Sequence, residues 1–171
     1  TELVDDLLDL AKVEAGKTSV RPVDFELEHL FGALRGMLRP LLVTDTVKLV
    51  FEDASLIPPL YTDEGKLSQI LRNFLSNALK FTEQGEVRVS AALAPDGRRV
   101  TISVADTGIG IAPEDQARIF EEFGQVEHAM QRKVKGTGLR LALSRRLGEV
   151  LGGDVTVQGG LGAGSTFSVA L

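Results

Sequence analysis

Asn73, Asn77 and Lys80 fall within roughly 60° of one another if residues 63–81 wind as a helix at about 100° per residue. They border a face made of Leu67, Ile70, Leu71, Phe74, Leu75, Ala78 and Leu79. Neutral amide oxygens beside an ammonium can ligate a divalent cation and a phosphate together, because no carboxylate is there to repel the anion. On its own the stripe also reads as a solvated polar face. A second candidate ends a strand: Val100, Ile102 and Val104 alternate onto one face, and Asp106 continues it. A carboxylate closing a buried row needs a donor, and the exocyclic amine of a purine is a suitable one. Thr107-Gly108-Ile109-Gly110-Ile111 follows, where glycines let backbone approach a flat ligand closely. A plain turn has the same composition. A third candidate, Lys135-Gly136-Thr137-Gly138-Leu139, opens a helix at 138–151 and would present backbone N–H groups to an anion. Between the two glycine segments lie Phe120, Phe123 and a long stretch, 124–135, with Arg132, Lys133 and Lys135 near its end. That is the make-up of a lid over a polyphosphate, or of a surface loop with solvated charges.

Other chemistries fall away. Gly16-Lys17-Thr18 ends like a P-loop, but Ala11 stands where its first Gly belongs and a helix precedes it. The run Gly108 to Pro113 lacks the third Gly of a dinucleotide fingerprint. Neither His29 nor His128 has a neighbouring His or carboxylate at metal-ligand spacing. With no cysteine, disulfide frameworks, thiolate zinc sites and cysteine nucleophiles are excluded. A net charge of −5 opposes any diffuse attraction to a nucleic-acid backbone or an anionic membrane, and 43% hydrophobic residues exclude global disorder. No apolar run approaches the roughly 20 residues that span a bilayer, so the chain reads as soluble and cytoplasmic.

The elements that must position these groups follow from periodicity. In 171 residues there is room for one sizeable core plus a short appendage. Residues 1–15 carry two apolar seams, Leu3, Leu7 and Leu10 beside Val4, Leu8 and Ala11, and Gly16 ends the pattern. So short a helix with two seams suggests the stump of a helical hairpin and a chain cut from something longer. An extended segment at 20–25 leads into a helix over 26–42, with Leu27, Leu30, Phe31, Leu34, Leu38 and Leu41 on one face and a kink or stop at Pro40. A strand at 47–52 and a loop at Pro58-Pro59 precede the helix that Thr62 or Asp63 caps. Strands at 86–93 and 98–106 are joined by Pro95-Asp96-Gly97. Helices at 113–121 and 138–151 and a strand pair, 154–158 with 165–171, complete a two-layer α/β sandwich with one helical face.

Individually weak, the motifs come in a specific order: Asn-x3-Asn-x2-Lys-Phe, Asp-Thr-Gly-x-Gly-Ile, Phe-x-x-Phe and Gly-Thr-Gly-Leu. In that order they resemble the N, G1, F and G2 boxes of the catalytic, ATP-binding domain of sensor histidine kinases. The resemblance implies a mixed, mostly antiparallel sheet with helices on one face, the Bergerat fold. It divides the chain into residues 1–17, the end of the dimerisation and phosphoacceptor hairpin, and 18–171, the ATP-binding domain. Val13-Glu14-Ala15-Gly16-Lys17 and Gly164-Ser165-Thr166-Phe167 match the hairpin end and the closing strand. Carried over, Asn77 and Asn73 would ligate Mg2+, Lys80 would reach phosphate and Asp106 would bind the adenine amine. Gly108 and Gly110 would shape the purine pocket, and Phe120 and Phe123 would anchor the lid. Lys135, Gly136, Thr137, Gly138 and Leu139 would hold phosphate. Ser165, on the face of Phe167 and Val169, would support Asp106 through its hydroxyl or a water.

Related ATPases carry a Glu at the place of Asn73 to activate water, and an amide cannot take that proton. The implied reaction is therefore transfer of the ATP γ-phosphoryl to a His on an upstream helix, for relay to an Asp of a response-regulator receiver domain, in a homodimeric protein. Neither histidine of this chain sits in the acceptor context, which places the acceptor upstream of Thr1. Membrane attachment would come only through segments absent from the chain. Arg140 stands where the family usually has a third Gly, which leaves a nucleotide-sensing module without phosphoryl transfer as the alternative.

Overall fold

An amphipathic helix has to lay its apolar stripe on a flat partner, and five strands provide one here. The computed structural model describes residues 8, 11–12, 19–41, 46–82, 84–108, 140–159 and 164–171. Among them are β1 (Val23–Phe25), α1 (Leu27–Leu38), a 3-10 turn (Arg39–Leu41), β2 (Val47–Phe51) and β3 (Leu60–Thr62). Next come α2 (Glu64–Phe81), β4 (Gly85–Leu93), β5 (Val100–Asp106), α3 (Arg140–Val150), β6 (Asp154–Gly159) and β7 (Ser165–Ala170). The main sheet has the order β2-β4-β5-β7-β6, antiparallel except for the β2–β4 pair. Two parallel neighbours need a crossover, and the segment between β2 and β4 includes α2.

Alternation along the strands sorts the two faces. Val87 and Val89, then Val100, Ile102 and Val104, then Phe167 and Val169 are buried, and they join Leu67, Ile70, Leu71, Phe74 and Leu75 of α2 in one core. Phe74 stacks on Phe167 at 5.4 Å between ring centroids and pins the middle of α2 to β7. Truncating such a fully buried Phe to Ala costs about 3–5 kcal/mol. Leu27, Leu30, Phe31, Leu34 and Leu38 bury the inner side of α1, and Phe31 meets Phe51 of β2 at 5.5 Å. The opposite face of the sheet is polar: Ser103 and Ser168 share a hydrogen bond, and Arg88 pairs with Glu86 and Glu52.

Most sequence expectations for the described residues hold. The first long helix stops at Leu38 and tightens into the 3-10 turn containing Pro40. Asp63, not Thr62, is the cap of α2, accepting the Lys66 N–H at 3.1 Å. The hairpin loop is wider than Pro95-Asp96-Gly97, and β5 starts at Val100 instead of Arg98. Ala94 N–H bonds Arg99 O, and Asp96 accepts the Arg98 N–H, so Arg98 and Arg99 belong to the turn. The small sheet, in which β1 and β3 pair antiparallel from Val23–Thr62 to Phe25–Leu60, was not anticipated. Of the N-terminal stump, Leu8, Ala11 and Lys12 are helical and exposed, and its other residues lie outside the described set. The expected helix at 113–121 also lies outside it. Among the described residues no helix is long and apolar enough to cross a membrane.

Candidate functional site

Asp106 is the last residue of β5, opposite Val87 of β4 and Ser165 of β7. The parity that buries Val100, Ile102 and Val104 buries it too, at 6% exposure. Its carboxylate is fixed from two sides. Gly108 N–H donates to Oδ1 at 2.9 Å, and the buried Ser165 hydroxyl donates to Oδ2 at 3.1 Å. Burial pushes the Asp106 pKa above the usual carboxylate value, and the Gly108 and Ser165 donors partly offset that rise. A carboxylate at the rim of a sheet is a strong acceptor for an N–H donor.

Two glycines keep this rim tight. Gly164 has φ +75°, and a Cβ there would overlap the Asp106 carbonyl oxygen. Gly85 has φ +124°, and a Cβ there would overlap the Thr107 hydroxyl, which accepts the Glu86 N–H at 3.0 Å. Both positions need the left-handed backbone that glycine tolerates, so β4, β5 and β7 converge closely beneath Asp106.

Asn77 lies toward the same end of the molecule. From the Phe74–Phe167 stack, Asn77 lies about 4.5 Å further toward the C-terminus of α2, and Ser165 lies about 6.6 Å back along β7. Both steps lead to the Asp106 rim, where Thr82, just past α2, nears Gly85. Asn77 is buried at 9% exposure, whereas Asn73 is only half-buried and donates its Nδ2 to Ser144 Oγ of α3 at 3.0 Å. Among the described residues no three His, Cys, Asp or Glu side chains are grouped to hold a metal ion.

Of the residues singled out from sequence, Asn73, Asn77, Asp106, Gly108 and Ser165 are described: Asp106, Gly108 and Ser165 meet at this rim, Asn77 lies on the part of α2 that runs toward it, and Asn73 is bonded to Ser144 of α3. Lys80 belongs to α2, but its side chain lies outside the described residues, as do Gly110, Phe120, Phe123, Lys135, Gly136, Thr137, Gly138 and Leu139. Sequence reasoning passed over two groups. Ser144 is completely buried in α3, and its only sequence signal is a hydroxyl among Ala142, Leu143 and Leu147. At the opposite end of α2, Asp63 also accepts the Arg21 N–H at 3.0 Å, while Lys66 Nζ bridges Asp63 Oδ2 and Ser19 O at 3.1 and 2.8 Å. That cluster ties the segment before β1 to the start of the amide-bearing helix. It is a capping signal in the sequence, but its partners are more than 40 residues away.

Residues 62–171 match the family described as histidine kinase-, DNA gyrase B- and HSP90-like ATPase. The chain is 41% identical over 182 residues to the virulence sensor protein BvgS of Bordetella bronchiseptica, covering 99% of this chain and 14% of the relative. It is 36% identical over 174 residues to the hybrid signal transduction histidine kinase B of Dictyostelium discoideum, covering 99% of this chain and 9% of the relative. The chain therefore spans a small part of the length of these curated relatives. Among solved structures, full-length ShkA in complex with AMPPNP superimposes with a TM-score of 0.87 at 39% identity, over 99% of this chain and 35% of that one. The mixed five-stranded sheet, the helices laid on one of its faces and these matches agree: the chain belongs to the histidine kinase-, DNA gyrase B- and HSP90-like ATPase family and is homologous to histidine kinase catalytic domains.

Proposed function

We propose that residues 18–171 are the ATP-binding catalytic domain of a cytoplasmic, homodimeric sensor histidine kinase, and that residues 1–17 are the end of its dimerisation and phosphoacceptor hairpin. The observation that carries this reading is the buried carboxylate of Asp106, held by Ser165 and Gly108 with room for one more donor on its lone pairs. The adenine exocyclic amine is that donor. The triphosphate then runs toward Asn77, Asn73 and Lys80 on α2, and the segment Lys135 to Leu139 supplies further phosphate contacts. The AMPPNP complex of the 39% identical ShkA supports an adenine nucleotide as ligand.

The neutral donor set suits magnesium in one circumstance. Two amides without a carboxylate hold the ion poorly alone and adequately when phosphate oxygens complete an octahedral shell. Asn77 and Asn73 would hold it together with the nucleotide. Bound there, magnesium supplies neutralisation of charge on the polyphosphate. The chain's own contribution is to orient the nucleotide from both ends and to leave water unactivated, because Asn73 is an amide where a general base would be needed. The γ-phosphoryl then passes to a His on an upstream helix and on to an Asp of a receiver domain.

The test is incubation of the full-length protein with γ-labelled ATP and magnesium. Acid-labile, base-stable label on the protein that disappears in Asp106→Asn supports the kinase. Nucleotide binding without label moves the reading to a sensing module, in line with Arg140 at the start of α3. Steady phosphate release that depends on Asn73 contradicts it in favour of an ATPase.

A further inference from the structure

Thr107, the first residue past β5, does with its side chain what a strand residue does with its backbone. In an antiparallel ladder, two facing residues of a hydrogen-bonded pair exchange both N–H to carbonyl bonds. One half of that exchange is ordinary here: the Thr107 N–H donates to the Glu86 carbonyl at 3.2 Å. In the other half the Glu86 N–H donates to Thr107 Oγ1 at 3.0 Å. Both donors are backbone N–H groups, so the direction of each bond is fixed. The hydroxyl thus keeps the pair that follows Val87–Asp106 while leaving the Thr107 carbonyl out of the ladder, and the chain turns out of the sheet at once. That turn brings the Gly108 N–H back to Asp106 Oδ1 at 2.9 Å, a local return that Asp side chains favour. The room for it is built in, since a Cβ on Gly85 would overlap the Thr107 hydroxyl. Thr107 is itself exposed, so burial of its methyl does not account for the choice of residue.

We propose that Thr107 is a positioning residue that sets the purine preference of the site: its hydroxyl ends β5 in the turn that holds the Asp106 carboxylate in place for the base. The inference rests on the reading above that Asp106 accepts the adenine amine. Gly108 holds one carboxylate oxygen and Ser165 the other. Ser165 stands on β7, whereas the Gly108 bond exists only while the turn does. Without the hydroxyl, the Glu86 N–H either takes the Thr107 carbonyl and draws the chain on into the ladder, or takes water and leaves the turn untied. In both cases Gly108 leaves Oδ1, and the carboxylate gains freedom about its Cβ–Cγ bond. A mobile acceptor tells an amine from a carbonyl less well than a fixed one, since ordering it opposes binding.

The experiment measures affinity for non-hydrolysable adenine and guanine triphosphate analogues in the parent chain, Thr107→Val, Thr107→Ser, Asp106→Asn and the Thr107→Val/Asp106→Asn pair. Val keeps the β-branched shape and replaces only the hydroxyl by a methyl. Thr107→Val is expected to weaken adenine binding roughly three- to tenfold and to leave guanine binding close to that of the parent, so the preference narrows by the same factor. Thr107→Ser, which keeps the hydroxyl, restores most of the preference, and Thr107→Val adds nothing once Asp106 is Asn. Equal weakening for both bases, a loss that Ser does not restore, or a full effect in the Asp106→Asn background overturns the positioning role. Should Thr107→Val fail to fold, the backbone amide protons of Glu86 and Gly108 in the ligand-free parent decide by NMR. Slowed exchange with water supports the two bonds that make the turn, and exchange as fast as in a free peptide refutes them. Equal affinities in the parent and Asp106→Asn refute the purine site itself, whereas a weakened Asp106→Asn with an indifferent Thr107→Val refutes only Thr107.

Discussion

Replacing Asp106 by Asn separates what the carboxylate does for the ligand from what it does to the fold. The two groups have the same shape. Asn Oδ1 can keep the Gly108 N–H now at 2.9 Å, and Nδ2 can face Ser165 Oγ, now at 3.1 Å, once the hydroxyl turns a lone pair toward it. The charge and one acceptor are lost. Removing a buried charged partner from a hydrogen bond costs about 1–3 kcal/mol, or roughly a fivefold to 150-fold rise in Kd for an adenine nucleotide. Calorimetric titration with adenine and guanine triphosphate analogues reads it. Discrimination against guanine should relax, because the guanine carbonyl no longer meets a carboxylate. Stability should move the other way. Burial raises the folded-state pKa of Asp106, so ionisation weakens the fold as pH climbs from the unfolded value of about 4 through the raised folded value, and the penalty persists above it. Asp106→Asn is therefore at least as resistant to urea as the parent at pH 7, and any advantage fades toward pH 4. Unchanged nucleotide affinity, or a variant that falls further below the parent in stability at pH 7 than at pH 4, would refute the assignment of this carboxylate.

Three further perturbations report on its surroundings. Asp63→Ala removes the cap of α2 and the anchor of Arg21 and Lys66, lowering stability at pH 7 by about 0.5–2 kcal/mol. Burial raises the Asp63 pKa, but the Arg21 and Lys66 donors outweigh it and leave the net value lowered. The difference in urea midpoint should therefore be full above about pH 4 and shrink as pH falls through the lowered folded value; a pH-independent difference contradicts this. Gly164→Ala sets a methyl against the Asp106 carbonyl at a positive φ, and a fall in melting temperature together with weaker nucleotide binding is expected; wild-type values for both would show that the rim is not tightly packed. Thr82 Oγ1 is buried and has no hydrogen-bond partner among the described residues, so Thr82→Val should leave thermal stability unchanged or raise it, and a marked drop would reveal a partner.

Legibility in the sequence followed the range of the interaction. The inner face of α2, the Asp63 cap and the burial of Asp106 and Ser165 are local, since period and parity set them within a few residues. The hydroxyl contact from Ser165 to Asp106 needed only the shared face of two strands and their register. By contrast, the β1–β3 pair, the parallel β2–β4 register and the Asn73–Ser144 bond join residues far apart in the chain. Short strands such as Leu60–Thr62 carry too few residues for a periodic signal, and a serine among apolar residues looks like a neutral filler until its neighbour is known. The motif order pointed to a nucleotide where each motif alone did not.

The strand order has a consequence for how the chain matures during translation. Ser165 lies 59 positions after the carboxylate it partners, and β7 inserts between β5 and β6. While a ribosome is still making α3 and β6, Asp106 stands at an open sheet margin with neither its hydroxyl donor nor its stacked Phe167 layer. A nascent chain stalled before Gly164 lacks β7, and Asp106 gains its Ser165 donor only when that strand zips into the gap.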